Sequence, residues 1–392
     1  MTKKVFSKDQ TTSKELTYAP KLPIEKWAAV IPAVKEGVEW EKGKAFAKEI
    51  TERFFADFEK PGDKMAHVST FIVVGDTVYV TYYANTKEPS EDPKNQTARL
   101  TYAKLDEPEK VTVLDLQTTG DTVDGKLVDM VYDTILMQKD ENTLYVLWTA
   151  RVEENYYRFY CPFDVRTKQL GDVDVNRLKI GDVVNDFSAT GIRAALAENG
   201  LPCKEMYSDI GIMQKLSVRV EDGETYYYTG AYSGDLTFII KSKDLITWEY
   251  VAQPDFVNQS QWENATYVIG DKCYYFVRQH VESPYGFLTV YDLEKKVWAE
   301  PVLVEDCQSR GDFIEYDGGL YLIHAPHDRE HLGILKIDTQ DIAGTKIVLQ
   351  AKMDTSCFYP FMQYFRGGEL ALSYTIARQH IRLAEFELRQ YL

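Results

Sequence analysis

The densest cluster of ionisable residues in this 392-residue chain spans 309–331, SRGDFIEYDGGLYLIHAPHDREH. Arg310 and Asp312 precede its two apolar runs; His324, His327, Asp328, Arg329 and His331 follow them. Elsewhere Glu263 follows Trp262. An apolar wall raises a carboxyl pKa, which would keep Glu263 protonated as a general acid. Asp312 or Asp133 is then the second carboxylate, activating water or attacking carbon directly. Arg278, Arg310 and Arg378 suit a two-pronged clamp on a carboxylate or sulfate, with salt bridging inside the fold as the competing use. His67, one of six histidines, is a candidate base or ligand contact. The spacing of His324, His327 and His331 would hold a metal only on a helix or a fixed loop. Pro326 opposes a helix there, so His324, His327 and Arg329 are read as substrate contacts. No metal or other cofactor is expected.

These residues need elements that bring them to one place. The run FIEY-DGG-LYLI is a hairpin signal, because Asp317-Gly318-Gly319 accepts positive φ cheaply. A hairpin returns to the end where it began, so both charged flanks meet at one rim. The pattern recurs with turns near residues 75, 141, 223, 270, 318 and 367. The last three intervals are 47 to 49 residues, the length of a propeller blade. Most hairpins precede a third strand-like run: FIIKS (238–242), FLTVYD (287–292), LGILKID (332–338) and IRLAEFEL (381–388). Such small sheets cannot cover both faces alone; radial packing does so. The expectation is an all-β propeller over 65–392, six blades first and five as the alternative. The last strand, paired with an N-terminal one, would close the ring. Residues 1–64 form an extension that packs on or closes it, with a helix at 43–58 from Phe46, Ile50, Phe54 and Phe58. A short helix is expected at 189–198 and a loop at GDTVDGK.

In a propeller the innermost strand of each blade starts at the face that holds the central pocket. That filter selects His67, Asp133, Asp209, Glu263, Arg310 with Asp312, and Tyr359 at the starts. Tyr82, Trp148, Tyr232, Arg278, His324 to Arg329 and Arg378 lie at the returns. Glu263 and Arg278, like Asp133 and Trp148, are fifteen positions apart.

Composition narrows the partners. Net charge is −16 with no long basic run, which argues against nucleic acid. No run of about 18 apolar residues exists to cross a membrane. The first residues carry lysines but no apolar core behind them, so no signal peptide is expected. Five widely spaced cysteines without a CxxC read as reduced thiols of a cytoplasmic protein. The 27 Tyr, 18 Phe and 6 Trp favour strands.

The segment Ser242-Lys243-Asp244-Leu245-Ile246-Thr247-Trp248 resembles the S-x-D-L-x-x-W blade signature of five-bladed arabinanase- and invertase-like glycosidases. Gln261-Trp262-Glu263-Asn264 is similar to the segment that carries the acid in those enzymes. Tyr359 at the start of the last repeat and arginines on separate blades resemble sialidases. That resemblance implies a tyrosine nucleophile and arginines on a sugar carboxylate. The first repeat, Ala66-His67-Val68-Ser69, departs from both patterns, and Ser242–Trp248 is one residue short of the sialidase Asp-box and lacks its glycine. The expected function is a glycoside hydrolase that removes a terminal sugar, an acidic one such as a sialic acid or uronate, from an oligosaccharide. Catalytic residues are Glu263, Asp312, Asp133 and Tyr359. Substrate contacts are His67, Asp209, Arg278, Arg310, His324, His327, Arg329 and Arg378. The alternatives are a non-catalytic sugar- or protein-binding propeller and a lyase using His and Tyr.

Overall fold

Alternating apolar and polar residues around tight turns build each of the expected hairpins. The computed structural model describes residues 28–31, 55–201, 209–234, 236–254, 261–279, 285–304, 307–326, 328–353 and 355–392, with backbone alone for 28–31, 55–56 and 261–262. The hairpin Asp312–Tyr316/Gly319–His324 turns at Asp317 and Gly318, whose φ values of 49° and 73° are those a type I′ turn demands. Third strands follow as expected, among them Leu236–Ser242, Tyr285–Asp292, His331–Ile337 and His380–Phe386.

Among the described residues the strands form six hydrogen-bonded sheets. In chain order their innermost strands are Met65–Val74, Lys126–Gln138, Ile210–Ile212 with Ser217–Glu221, Gln261–Ile269, Asp312–Tyr316 and Phe358–Tyr364. Each sheet packs on the next, and the sixth returns onto the first. The apolar core is divided accordingly into clusters at the seams. Ile72 and Leu100 meet Leu136 and Phe163 between the first two sheets, for example. Phe71 and Ala66 meet Phe361 and Ala371 between the last and the first. The all-β propeller expectation holds, but the arrangement is that of five blades, the stated alternative; the first expectation of six blades is not supported.

Two N-terminal segments join this ring. Phe55–Asp57 is a strand, antiparallel to the last strand through Ala384, Leu383 and Arg382. That part of the expected 43–58 helix is corrected; the rest lies outside the described residues. The aromatic spacing misled because Phe58 is buried as a strand flank in the seam between the sixth and first sheets. Ala28–Ile31 runs parallel to Val302–Val304 on the edge of the fourth sheet. The helix Ala189–Glu198 forms with Ser188 accepting from the Gly191 amide. GDTVDGK is not a plain loop: Thr122 and Val123 pair with Leu127 and Lys126.

The feature that positions the site is a repeated bulge. In four sheets the innermost strand slips register, between His67 and Thr70, Tyr132 and Ile135, Gln261 and Asn264, and Phe358 and Phe361. Each slip sets two residues against one: Tyr82, Trp148, Arg278 or Tyr374. Val68, Asp133 and Tyr359 sit in these bulges at φ 52°, 50° and 52°. A left-handed conformation costs a non-glycine residue about 1–2 kcal/mol, so surrounding contacts must hold it. Bulges re-aim side chains beside active sites. Short hydroxyls stitch the seams around them. Thr70 Oγ1 accepts from the Leu136 amide at 2.9 Å, and Ser309 Oγ accepts from the Tyr359 amide at 3.0 Å. Thr149 Oγ1 donates to the Ile210 carbonyl at 2.7 Å.

Candidate active site

At the axial end reached by these bulges, five charged side chains from three sheets form one chain of ion pairs. Arg158, wholly buried, donates through Nη1 to the Asp133 carbonyl at 2.7 Å and lies 3.2 Å from its Oδ2. It also bonds Thr149 Oγ1 and, in the third sheet, the Ile212 carbonyl. Asp133 Oδ1 accepts from Arg310 Nη2 at 2.6 Å. Arg310 Nε lies 3.8 Å from Glu263 Oε1, and Glu263 Oε2 pairs with Arg278 Nη1. The Gln214 side chain supports Arg310 by accepting from its Nη1 at 2.9 Å. Asp133, Glu263, Arg278 and Arg310 are each less than a tenth exposed. Fields in such a site are weakly screened.

These pairs reverse the expectation for Glu263. Burial works to raise its pKa, but Arg278 and Arg310, with hydrogen bonds from Tyr359 and Arg278, hold it below the ordinary value. It is a carboxylate rather than a protonated acid, and the Trp262 side chain invoked for the apolar wall lies outside the described residues. Tyr359 bonds Glu263 through its hydroxyl. Burial and the Glu263 charge push the phenol up, so it is neutral. The Arg310 guanidinium lies over the Tyr359 ring at 5.3 Å, with Arg329 at 6.0 Å.

Asp209 sits beside this chain. Burial, then the charges of Asp133 and Glu263, raise its pKa to about 7, and its Oδ1 is buried without a hydrogen-bond partner. His67 meets the Tyr359 ring edge-on at 4.8 Å. Burial, followed by Arg378, Arg329 and Arg310, holds His67 well below its ordinary pKa, and it is neutral. Nine of the twelve selected residues thus gather here: Asp133, Glu263, Arg278, Arg310, Tyr359, Asp209, His67, Arg329 and Arg378.

Three do not. Asp312 belongs to a separate pair: its Oδ2 lies 3.2 Å from Lys215 Nζ. Lys215 also donates to the Met362 carbonyl at 2.6 Å and stands over the Phe361 ring. Burial raises Asp312 to about 6 against the pull of Lys215. It opens the strand Asp312–Tyr316, two residues beyond Arg310. His324 is wholly buried against Gly333, where an added Cβ would lie 2.4 Å from its Nε2. Burial alone lowers its pKa, to about 4, with no influence from the charged groups of the site. It is a packing residue because it pairs across the strands rather than projecting past them. His331 binds Asp328 at 2.5 Å. His327 lies outside the described residues.

Sequence reasoning missed Arg158, Gln214, Lys215 and Glu91. A lone arginine in the aromatic strand NYYRFYCPFD was the available signal for Arg158. Nothing local marked the others, whose partners are 90 or more residues away for Gln214 and Lys215.

No protein-family model matches the chain, and no curated protein matches it in sequence. Solved structures match in fold. A protein of unknown function from Dyadobacter fermentans is 12% identical, with TM-score 0.55, covering 85% of this chain and 97% of its own. The NanB sialidase of Streptococcus pneumoniae is 9% identical, with TM-score 0.54, covering 84% of this chain and 70% of its own. At these identities the likeness is one of architecture: the chain has the propeller arrangement that a sialidase also uses.

Proposed function

We propose that this protein is a glycoside hydrolase that removes a terminal sugar carrying a carboxylate. The observation behind this reading is an excess of buried cation. Arg158, Arg310 and Arg278 are matched by only Asp133 and Glu263 in the chain of pairs. Beside them Arg329 has no carboxylate partner among the described residues; its Nε donates to the Gln308 carbonyl. Buried charge without a counter-ion is costly, so the site favours an anionic ligand. In this reading Asp209, protonated near neutrality, gives its proton to the glycosidic oxygen as the bond to carbon breaks. Tyr359 Oη attacks the anomeric carbon while its proton passes to Glu263. Water then releases the sugar: its oxygen bonds the anomeric carbon as Asp209 takes its proton, and the Tyr359–carbon bond breaks with Glu263 returning the proton to Tyr359 Oη. Residues 65–392 are the catalytic unit, to which 1–64 contribute added strands. Cys161, Cys273 and Cys357 are buried free thiols, which fits work in the cytoplasm on imported oligosaccharides. No described helix is long and apolar enough to cross a membrane.

The test is a panel of aryl and alkyl glycosides of sialic, uronic and neutral sugars. Hydrolysis should be confined to acidic sugars. Asp209→Asn should slow alkyl glycosides by about 100-fold or more, while activated aryl glycosides, whose leaving group needs no proton, keep kcat/KM near the parent value and lose kcat as release of the sugar from Tyr359 becomes limiting. Binding of acidic sugars without turnover of any glycoside would favour the non-catalytic reading, to which the deep burial of Asp133 and Arg310 also lends itself.

A further inference from the structure

The seam between the first and sixth sheets carries a second charged group that the chain of pairs does not use. Glu91, on the connection after the strand Thr77–Asn85, reaches back over the site. Its Oε1 accepts from the Tyr83 hydroxyl at 2.5 Å, its Oε2 pairs with Arg378 Nη1, and Oε2 lies 4.0 Å from His67 Nε2. His67 is 1% exposed, and neither ring nitrogen has a hydrogen-bond partner. A buried imidazole left open on both sides is costly, and here it faces a place where a carboxylate already stands. Glu91 and Arg378 keep about a third of their side-chain surface, 30% and 37%, so solvent reaches the pair. The connection has its own internal support: Asn85 bonds the Lys87 and Glu88 amides and the Ser90 carbonyl. Its shape therefore does not depend on the Glu91–Arg378 contact.

We propose that Arg378, Tyr83 and His67 form a carboxylate subsite, and that Glu91 fills it as an internal stand-in which the anionic group of the ligand displaces. This rests on the acidic-sugar reading for the identity of the ligand, but not for the existence of the subsite. Displacement means that the free protein is only fractionally competent, and apparent affinity is reduced by that fraction. Removing the competitor restores it. The Tyr83 hydroxyl and the Arg378 guanidinium then turn from Glu91 to the incoming carboxylate, and His67 Nε2 lies beside it.

The experiment is calorimetric titration of the full chain with inorganic sulfate, N-acetylneuraminate and glucuronate. Three proteins are compared: the parent, Glu91→Gln and Glu91→Asp. Gln removes the charge; Asp keeps it but is one methylene too short to reach Arg378. Both variants should bind sulfate, and whichever sugar acid fits, about tenfold more tightly than the parent. If only the Gln variant tightens, Glu91 acts through its field and the stand-in is wrong. If neither tightens, or Glu91→Gln weakens binding, Glu91 positions Arg378 and the inference fails. If sulfate behaves as expected while neither sugar acid binds and no glycoside is cleaved, the subsite stands and the glycosidase reading falls.

Discussion

At the residue scale, the chemistry turns on which buried carboxyl holds a proton. Glu263 is ionised between Arg278 and Arg310, and Asp209 carries the raised pKa. Glu263→Gln should therefore do more than stop turnover. It leaves two buried guanidiniums short of a counter-ion, at a cost of about 3 kcal/mol. A thermal melt should show the loss; an unchanged melting temperature would sink the ion-pair account. Asp209 gives a pH test with a definite sign. Its folded-state pKa of about 7 lies above the ordinary 3.8, so the native state binds the proton more tightly than the unfolded chain. This group's contribution to stability rises as pH falls from about 7 toward 4, and its charge costs stability above 7. Asp209→Asn should be more stable than the parent at about pH 8 and lose that advantage by about pH 4, read by melting temperature. His324 works the other way. Its pKa is lowered to about 4, so its contribution is lost as pH falls below 6.5.

At the element scale, the bulges turn ordinary inner strands into a site. Without the extra residue, strict alternation would put Glu263, Asp133 and Tyr359 in fixed pleat positions. The slip rotates them toward the axis, and hydrogen bonds from neighbouring sheets hold the strained backbone. Close approach between sheets belongs to the same design. A Cβ on Gly230 would lie 1.7 Å from Asn264 Oδ1, and Asn264 Nδ2 donates to the Ala231 carbonyl across the seam at 3.1 Å. Gly230→Ala should cost about 1–3 kcal/mol, seen as a lower denaturant midpoint. Because Asn264 follows Glu263 directly, it should also lower kcat. Full activity with lowered stability would mean that the seam and the site are independent. The hairpins themselves were legible, since turn residues and alternation are local. So was the spacing of Glu263 and Arg278, because one two-on-one bulge in a hairpin fixes it.

At the scale of the whole molecule, the ring closes through chain ends that are distant in sequence. Phe55–Asp57 pairs with the last strand, and Arg382 grips Asp57 with bonds of 2.7 and 2.9 Å. Phe58 fills the seam behind. Deleting residues 1–58 should expose the sixth sheet's edge and lower the melting temperature by about 2 °C for each kcal/mol lost. The transition should stay single, because every sheet packs on two others. Calorimetry that shows two separated transitions would mean that the seams do not share their stability.

The chain alone determined the repeated hairpins and their turns, the propeller arrangement though not its blade number, and nine of the residues that gather at its axis. Periodicity and turn chemistry are short-range, and a repeated hairpin has few ways to bury both faces. Tertiary structure decided the protonation and pairing of those residues. Asp312 faces Lys215 instead of Glu263, His324 turns into a sheet, and Arg158 and Glu91 reach in from an outer strand and a connecting loop. The physical reason is that charge and burial depend on neighbours brought from other sheets, and no local pattern in a sequence encodes their distance.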